Sequence, residues 1–144
     1  MEVLPYLTSY SEACLAIFDS NTPQFFQPSE RESFAQFLQD PNCTYLVMEH
    51  DDAIVGCGGF YLDDSKAQAR LCWGMIHQAA QRQGLGRFLL LYRIREIGKA
   101  GVVERVTLQT TAAAATFYEK QGFKRVQPSD PHIVDMVMKL TVCP

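Results

Sequence analysis

The stretch QRQGLGRFLLLYR, Gln81 to Arg93, sets two glycines one residue apart between arginines and runs from there into leucines. Flexible backbone and positive charge at the mouth of an apolar helix make a place for an anion. The first amides of a helix lack intrahelical partners and lie at the positive end of its dipole. Glycine removes the Cβ that blocks close approach, and Arg82 and Arg87 bring charge beside Gly84 and Gly86. The same two glycines also suit a tight strand-to-helix turn that binds nothing. Two phosphate motifs built on glycine are excluded. A dinucleotide fingerprint needs glycine where the chain has Leu89; a P-loop needs Gly-Lys-Ser/Thr from that position, which holds Leu89, Leu90 and Leu91.

Outward from this segment the elements alternate in type. The spacing predicts a helix from about Gly84 to Lys99, with Leu85, Phe88, Leu89 and Tyr92 on one stripe and Leu90, Ile94 and Ile97 beside it. So broad an apolar surface belongs against a sheet, and Gly101 reads as the helix terminator. Upstream, TYLVMEH and AIVGCGGFYL read as strands joined by a turn at His50, Asp51 and Asp52, and a second hairpin turns through DDSKAQ into ARLCWGMIH. Before them come EVLPYL as a short strand and SEACLAIFDS as a helix capped by Ser9 or Ser11. NTPQFFQPSERES, with Phe25 and Phe26, reads as a loop or lid ahead of an amphipathic segment carrying Phe34, Phe37 and Leu38. Downstream, ERVTLQTT is a strand, AAAATFYEKQ a helix ending at Gly122, and FKRVQ and IVDMVMKLTV are closing strands around a Ser-Asp-Pro turn. A strand–helix–strand unit inside a largely antiparallel sheet gives the α+β (mixed α/β) class with at least one parallel pair. Ligands favour the point where such a sheet changes direction.

The length of 144 residues suits one domain, and no repeat, low-complexity tract or linker divides it. With 47% hydrophobic and 20% charged residues, the composition is that of an ordinary globular protein. A net charge of −3 argues against a nucleic-acid partner and agrees with a cationic substrate. No basic region precedes an apolar run at the N-terminus, and no stretch approaches the roughly 20 apolar residues of a membrane span. Cys14, Cys43, Cys57, Cys72 and Cys143 are odd in number, widely spaced and without a C-x-x-C pair. They point to a reduced, cytoplasmic protein with neither a disulfide framework nor a metal site.

WGMIHQAAQRQGLGRFLL resembles the acyl-CoA pyrophosphate loop of the GNAT family of N-acyltransferases, whose pattern is Gln/Arg-x-x-Gly-x-Gly/Ala. FYEKQGF, Phe117 to Phe123, is similar to the segment with which that family's next helix commonly ends. With the element order, the resemblance covers Val3 to Leu140. It implies a single GNAT-like domain over residues 1–144, with a mixed, mostly antiparallel sheet of about six to seven strands flanked by about four helices. The sheet would be splayed between its fourth and fifth strands, with acetyl-CoA as co-substrate in the gap. Gly74, Met75 and Ile76 would hold the pantetheine arm through their backbones, and Gln81, Arg82, Gln83, Gly84, Leu85, Gly86 and Arg87 would wrap the pyrophosphate. Phe117 and Tyr118 would lie beside the cofactor. Many members place an asparagine near Ala112; here Thr110 or Thr111 would substitute as cap and donor.

The implied chemistry asks for specific groups. An attacking alkyl amine, with a pKa of about 10.4, must lose a proton, and the departing thiolate benefits from a donor. The resemblance makes Tyr118 that general acid; an amphipathic tyrosine packed on the sheet is the other reading. The alanines 112–115 leave room for a ligand on the face of Tyr118, and helix propensity alone also explains them. ARLCWGMIH holds no carboxylate. His77 reads as a loop histidine, Asp63 and Asp64 as turn residues, and Glu49, His132 and Asp135 are unranked, so no base is assigned. Cys72 shows no activating neighbour, and direct transfer in a ternary complex is expected over an acyl-enzyme. The sequence thus reads as an N-acetyltransferase acting on a primary amine of a small molecule or peptide, as a monomer or homodimer without nucleic acid or membrane. The alternative is a catalytically silent acyl-CoA-binding or sensing module.

Overall fold

The hairpins expected between Thr44 and Ile76 form the middle of a seven-stranded sheet. The computed structural model describes residues 1–126 and 133–140; the Ser-Asp-Pro turn, His132 and Cys143 lie outside the described residues. Strand β1 (Glu2–Pro5) is followed by helices α1 (Ser11–Ser20) and α2 (Arg31–Gln39), then by strands β2 (Thr44–His50), β3 (Ala53–Asp63) and β4 (Gln68–Ile76). Helix α3 (Leu85–Ala100), strand β5 (Arg105–Thr110), helix α4 (Ala112–Lys120) and strands β6 (Lys124–Val126) and β7 (Val134–Lys139) complete the order. Asp51 and Asp52 both take left-handed backbone, φ 51° and 62°, which matches a two-residue turn to the twist of β2 and β3.

Strand order is β1-β2-β3-β4-β5-β7-β6, and every neighbouring pair is antiparallel except β4 and β5. That parallel pairing joins only Gln68, Ala69 and Arg70 to Arg105, Val106 and Thr107. Beyond it β4 runs on to Ile76 and β5 to Thr110 without pairing to each other, so the sheet opens into a V. β5 stays paired to β7 along its whole length, from Arg105 to Thr110.

A bulge prepares this separation. Cys57 is in register with Met75 but Gly59 with Cys72, and Trp73 has φ 43° within β4. The extra residue puts Cys72 and Trp73 on the same face and turns Gly74 to the other. On the first face α1 and α2 bury Cys14, Ile17, Phe18, Phe34 and Leu38 against Tyr45, Val47, Cys57 and Met75. On the second, Leu90 and Ile97 of α3 and Ala115 of α4 pack with Phe60, Leu71, Val106, Leu108 and Met136.

Two local expectations are revised, and the helix ends expected at Gly101 and Gly122 are observed. Neither Ser9 nor Ser11 caps α1, because a 3-10 turn over Thr8–Tyr10 runs straight into it and the Ser11 N–H donates to the Thr8 carbonyl. The buried stripe of α3 is Leu85, Leu89, Leu90, Arg93 and Ile97, which leaves Phe88 40% exposed and brings an arginine inside. Gly101 ends α3 in extended backbone, whereas Gly122, at φ 102°, makes the left-handed exit expected after α4.

A Cβ added at Gly59 would strike the Thr44 carbonyl oxygen and come within 3.1 Å of the Tyr45 Cα, both backbone atoms of the adjacent strand. Gly59→Ala is therefore expected to cost about 2 kcal/mol or more. Urea unfolding checks this, and a midpoint equal to wild type would refute it.

Candidate active site

The open end of the V lies at the C-terminal ends of β4 and β5, and the segment after β4 borders it. His77 starts this segment, with Nδ1 accepting the Ala79 N–H at 3.1 Å and capping a short 3-10 turn over Gln78–Ala80, so the loop reading of His77 holds. Arg82 (φ 64°) and Gly84 (φ 80°) then take left-handed backbone, and Gly84 sits at the N-cap of α3. No atom lies within 4 Å of where a Gly84 Cβ would stand. The requirement there is conformational, and the space in front is open. The first amides of α3, at Leu85, Gly86 and Arg87, have no carbonyl one turn earlier in the helix to receive them. At Gly86 a Cβ would make ordinary contacts, 3.6 Å to Phe117 and 3.7 Å to Ile76, so packing does not require glycine and its absence of side chain leaves room. Arg82, Gln83 and Arg87 are exposed, and the Arg87 Nε donates to Gln121 at 3.2 Å, tying α3 to the end of α4.

Gln81 turns its amide inward instead. Its Nε2 donates to the Asn21 Oδ1 at 2.6 Å and to the Ile76 carbonyl at 2.9 Å. Asn21, only 2% exposed, donates through Nδ2 to the Ile17 and Ile76 carbonyls, both at 2.9 Å. The Ser20 hydroxyl accepts the Gln78 N–H at 3.0 Å. The segment between β4 and α3 is thus fastened to the end of α1. The Asn21 carbonyl also accepts the Phe25 and Phe26 amides, so one residue joins this segment to the aromatic loop. Only the position of an amide where α1 stops hinted at Asn21 in the sequence.

Across the V, Thr111 stands at the N-cap of α4 in extended backbone, but neither it nor Thr110 supplies a side-chain cap. The Thr111 Oγ1 is buried without a partner, an arrangement that costs about 1–3 kcal/mol. Phe117 reaches over towards Gly86. Tyr118 is half-buried against the core and meets Phe117 and Phe123 edge-on, with centroids 5.1 and 5.8 Å away.

On the opposite face the bulge carries an aromatic wall. Trp73 packs on Phe34 at 4.9 Å, with Phe37 and Phe26 at 6.2 and 6.3 Å. The Tyr45 hydroxyl donates to the Trp73 carbonyl at 2.8 Å and fixes the bulge, and burial holds that phenol well above its ordinary pKa. Phe26 belongs to this cluster; Phe25 does not. A polar cavity of about 340 Å³ lies between the two loops, lined by Gln24, Gln78, Gln81 and Arg82.

The carboxylates named from the sequence separate by position. Asp63 accepts from Ser65 at the hairpin end where β4 and β5 still pair, far along the strands from the open end. Asp135 lies opposite Gln109, towards the open end of β5, and Glu49 lies at an irregularity of β2. The Cys72 thiol contacts Cys43 at 3.8 Å, and that contact together with burial raises its pKa, which keeps it from being a thiolate. Among the described residues no group of three or more side chains suits a metal ion, and no helix is long and apolar enough to cross a membrane.

A model of the acetyltransferase (GNAT) family matches residues 12–123. No curated protein matches the chain by sequence. Among solved structures, the chain resembles the ribosomal-protein-S18-alanine N-acetyltransferase of Escherichia coli, with a TM-score of 0.77, 21% identity and coverage of 99% of this chain and 96% of that one. It also resembles the PaiA N-acetyltransferase of Thermoplasma acidophilum in complex with coenzyme A, with a TM-score of 0.76, 16% identity and coverage of 96% and 98%. A GNAT-family protein of Desulfovibrio desulfuricans gives a TM-score of 0.81 at 16% identity, over 96% and 97% of the two chains.

Asn21→Ala removes the side-chain bonds to Ile17, Ser20, Ile76 and Gln81 and leaves the Gln81 amide only its bond to the Ile76 carbonyl. The expected result is a stability loss of about 1–3 kcal/mol with faster amide exchange at residues 77–84. Hydrogen–deuterium exchange reads this directly, and protection equal to wild type in that segment would contradict the clamp.

Proposed function

Because the chain belongs to the GNAT acetyltransferase family, we propose that it transfers the acetyl group of acetyl-CoA to a primary amine of a small molecule or peptide, with both substrates held together in the cleft. The observation that carries this reading is the parting of β4 from β5 after three residue pairs, beside the glycine-turned start of α3.

The residues present suit acetyl-CoA. Beyond Arg70, β4 has no β5 partner, so Gly74 and Met75 offer that edge of the strand to an extended arm with amide groups, while the Ile76 carbonyl is already taken by Asn21 and Gln81. The left-handed Gly84, the open space before it and the exposed Arg82 and Arg87 suit the pyrophosphate. On the other wall the orphaned Thr111 hydroxyl needs a partner that α4 does not provide, and the adjacent Phe117 and Tyr118 follow about two turns later. The Gln81 side-chain amide holds the loop in shape through Asn21. Acetyl-CoA supplies an activated acyl group with a thiol as leaving group. The chain supplies placement, worth up to roughly 7–11 kcal/mol in favourable cases, and Tyr118 supplies a proton at its hydroxyl for the sulfur. The protonated Cys72 agrees with direct transfer. The E. coli protein is named for an alanine of ribosomal protein S18, which keeps peptides among the acceptors, with the Trp73 wall facing an apolar portion.

Incubation with acetyl-CoA and pooled amines, following thiol release and product mass, tests the reading. One acetyl group should appear on an acceptor and none on the enzyme. Tyr118→Phe should lower kcat about 100-fold with little change in coenzyme A affinity; an unchanged kcat would remove Tyr118 from the mechanism. Gly84→Val forces a β-branched residue into left-handed backbone and should weaken coenzyme A binding at least about tenfold, by calorimetry. Tight binding without transfer across a broad amine pool would instead mark a silent acyl-CoA-binding module, which the lack of a carboxylate on β4 favours.

A further inference from the structure

Arg93 is 3% exposed in the inward stripe of α3, where a buried arginine ordinarily meets a carboxylate. Among the described residues none faces it. The acid of its own helix, Glu96, pairs on the outer side with Arg95 and Lys99. The guanidinium donates one hydrogen bond, from Nη1 to the Gly59 carbonyl at 3.3 Å, and its Nε is buried without a partner. The titratable groups on the facing strands β3 and β4 are Cys57, Tyr61, Asp63, Arg70 and Cys72; Asp63 lies at the far hairpin end with Ser65, and burial pushes Tyr61 up to about 12. Burial raises Cys57 and the Cys43 contact raises Cys72, so neither is an anion that balances the charge.

The surrounding backbone is shaped for this cation. A Cβ on Gly74 would come within 2.7 Å of Nη2, and one on Gly58 within 3.0 Å of Cζ. Glycines on two adjacent strands, one of them in the bulge, give the guanidinium its space. A buried charge held so closely without a counter-ion is costly, which points to an anion that arrives with a ligand.

Its place beneath the β3–β4 side of the bulge, behind the wall that parts from β5, says which. Arg93 stands about 14 Å along the helix axis from Gly84, close to the reach of the extended arm between the pyrophosphate and the sulfur of coenzyme A. It packs against Gly74, on the wall that parts from β5, and Tyr118 stands on α4, which shares the sheet face of α3.

We propose that Arg93 is a fixed positive charge for the coenzyme A thiolate. The inference rests on the acyl-CoA reading of the cleft. When the acyl carbon–sulfur bond breaks and the carbon–nitrogen bond forms, the electron pair left on sulfur meets the field of Arg93. The Tyr118 hydroxyl then donates its proton to sulfur, the amine proton leaves to solvent, and solvent reprotonates the Tyr118 phenolate. Arg93 acts by field through the bulge, and Tyr118 by contact.

The test needs no acceptor. Coenzyme A bound to the full chain is titrated by thiolate ultraviolet absorbance, with desulfo-coenzyme A complexes subtracting the protein's own tyrosines and cysteines, for wild type, R93M and R93K. In wild type the bound thiol should ionise about one pH unit below free coenzyme A; R93M should abolish the shift and R93K keep part of it. The Tm of R93M should equal or exceed wild type, because an apolar side chain replaces an unbalanced charge. R93Q takes its place if R93M does not fold. A wild-type thiol that ionises as in free coenzyme A, or one whose shift survives in R93M or R93Q, would overturn the proposal. Failure of wild type to bind either ligand would overturn the acyl-CoA reading itself, and this inference with it.

Discussion

Everything in the cleft depends on three residue pairs. Parallel strands joined through a helix normally stay paired along their common length, yet β4 and β5 hold together only from Gln68 to Arg70. The bulge at Trp73 turns the remainder of β4 away, and Tyr45, bonded to the Trp73 carbonyl from β2, keeps it turned. β5 remains locked to β7 along its whole length, so only one wall departs. The opening is therefore a property of strands rather than loops, and its walls are as rigid as the sheet.

The two faces then receive different work. Towards α1 and α2 the bulge presents an aromatic wall; towards α3 and α4 it presents glycine and a guanidinium. Asn21 spans the division from outside, bonding the end of β4, the segment before α3 and the loop of Phe25 and Phe26. A polar side chain so deeply buried is tolerated because each of its polar atoms has a partner.

Much of the fold was legible because it rests on local signals. Alternating β-formers around Asp51 and Asp52 marked a hairpin, and glycines followed by leucines marked the start of α3. The splay and its ligand came through family resemblance, since no spacing of residues announces where two strands separate. What escaped the sequence was tertiary. Gln81 has the same side chain whether it meets a ligand or Asn21, and only the approach of α1 selects the second. Arg93 sits at the right interval for the buried stripe of α3, but an arginine there reads as solvent-facing until Gly58 and Gly74 are seen to make room. The serines near α1 and the threonines near α4 carried ordinary cap signals, overruled by a 3-10 entry in one case and by a hydroxyl turned inward in the other.

Trp73 is the chain's single tryptophan, and it occupies the bulge on which the opening depends. Its indole stacks between rings of α2 and of the loop held by Asn21, while its carbonyl is bound to Tyr45. The molecule's one strong fluorophore thus stands at the bulge from which the sheet opens. Its emission is a built-in optical gauge of that opening.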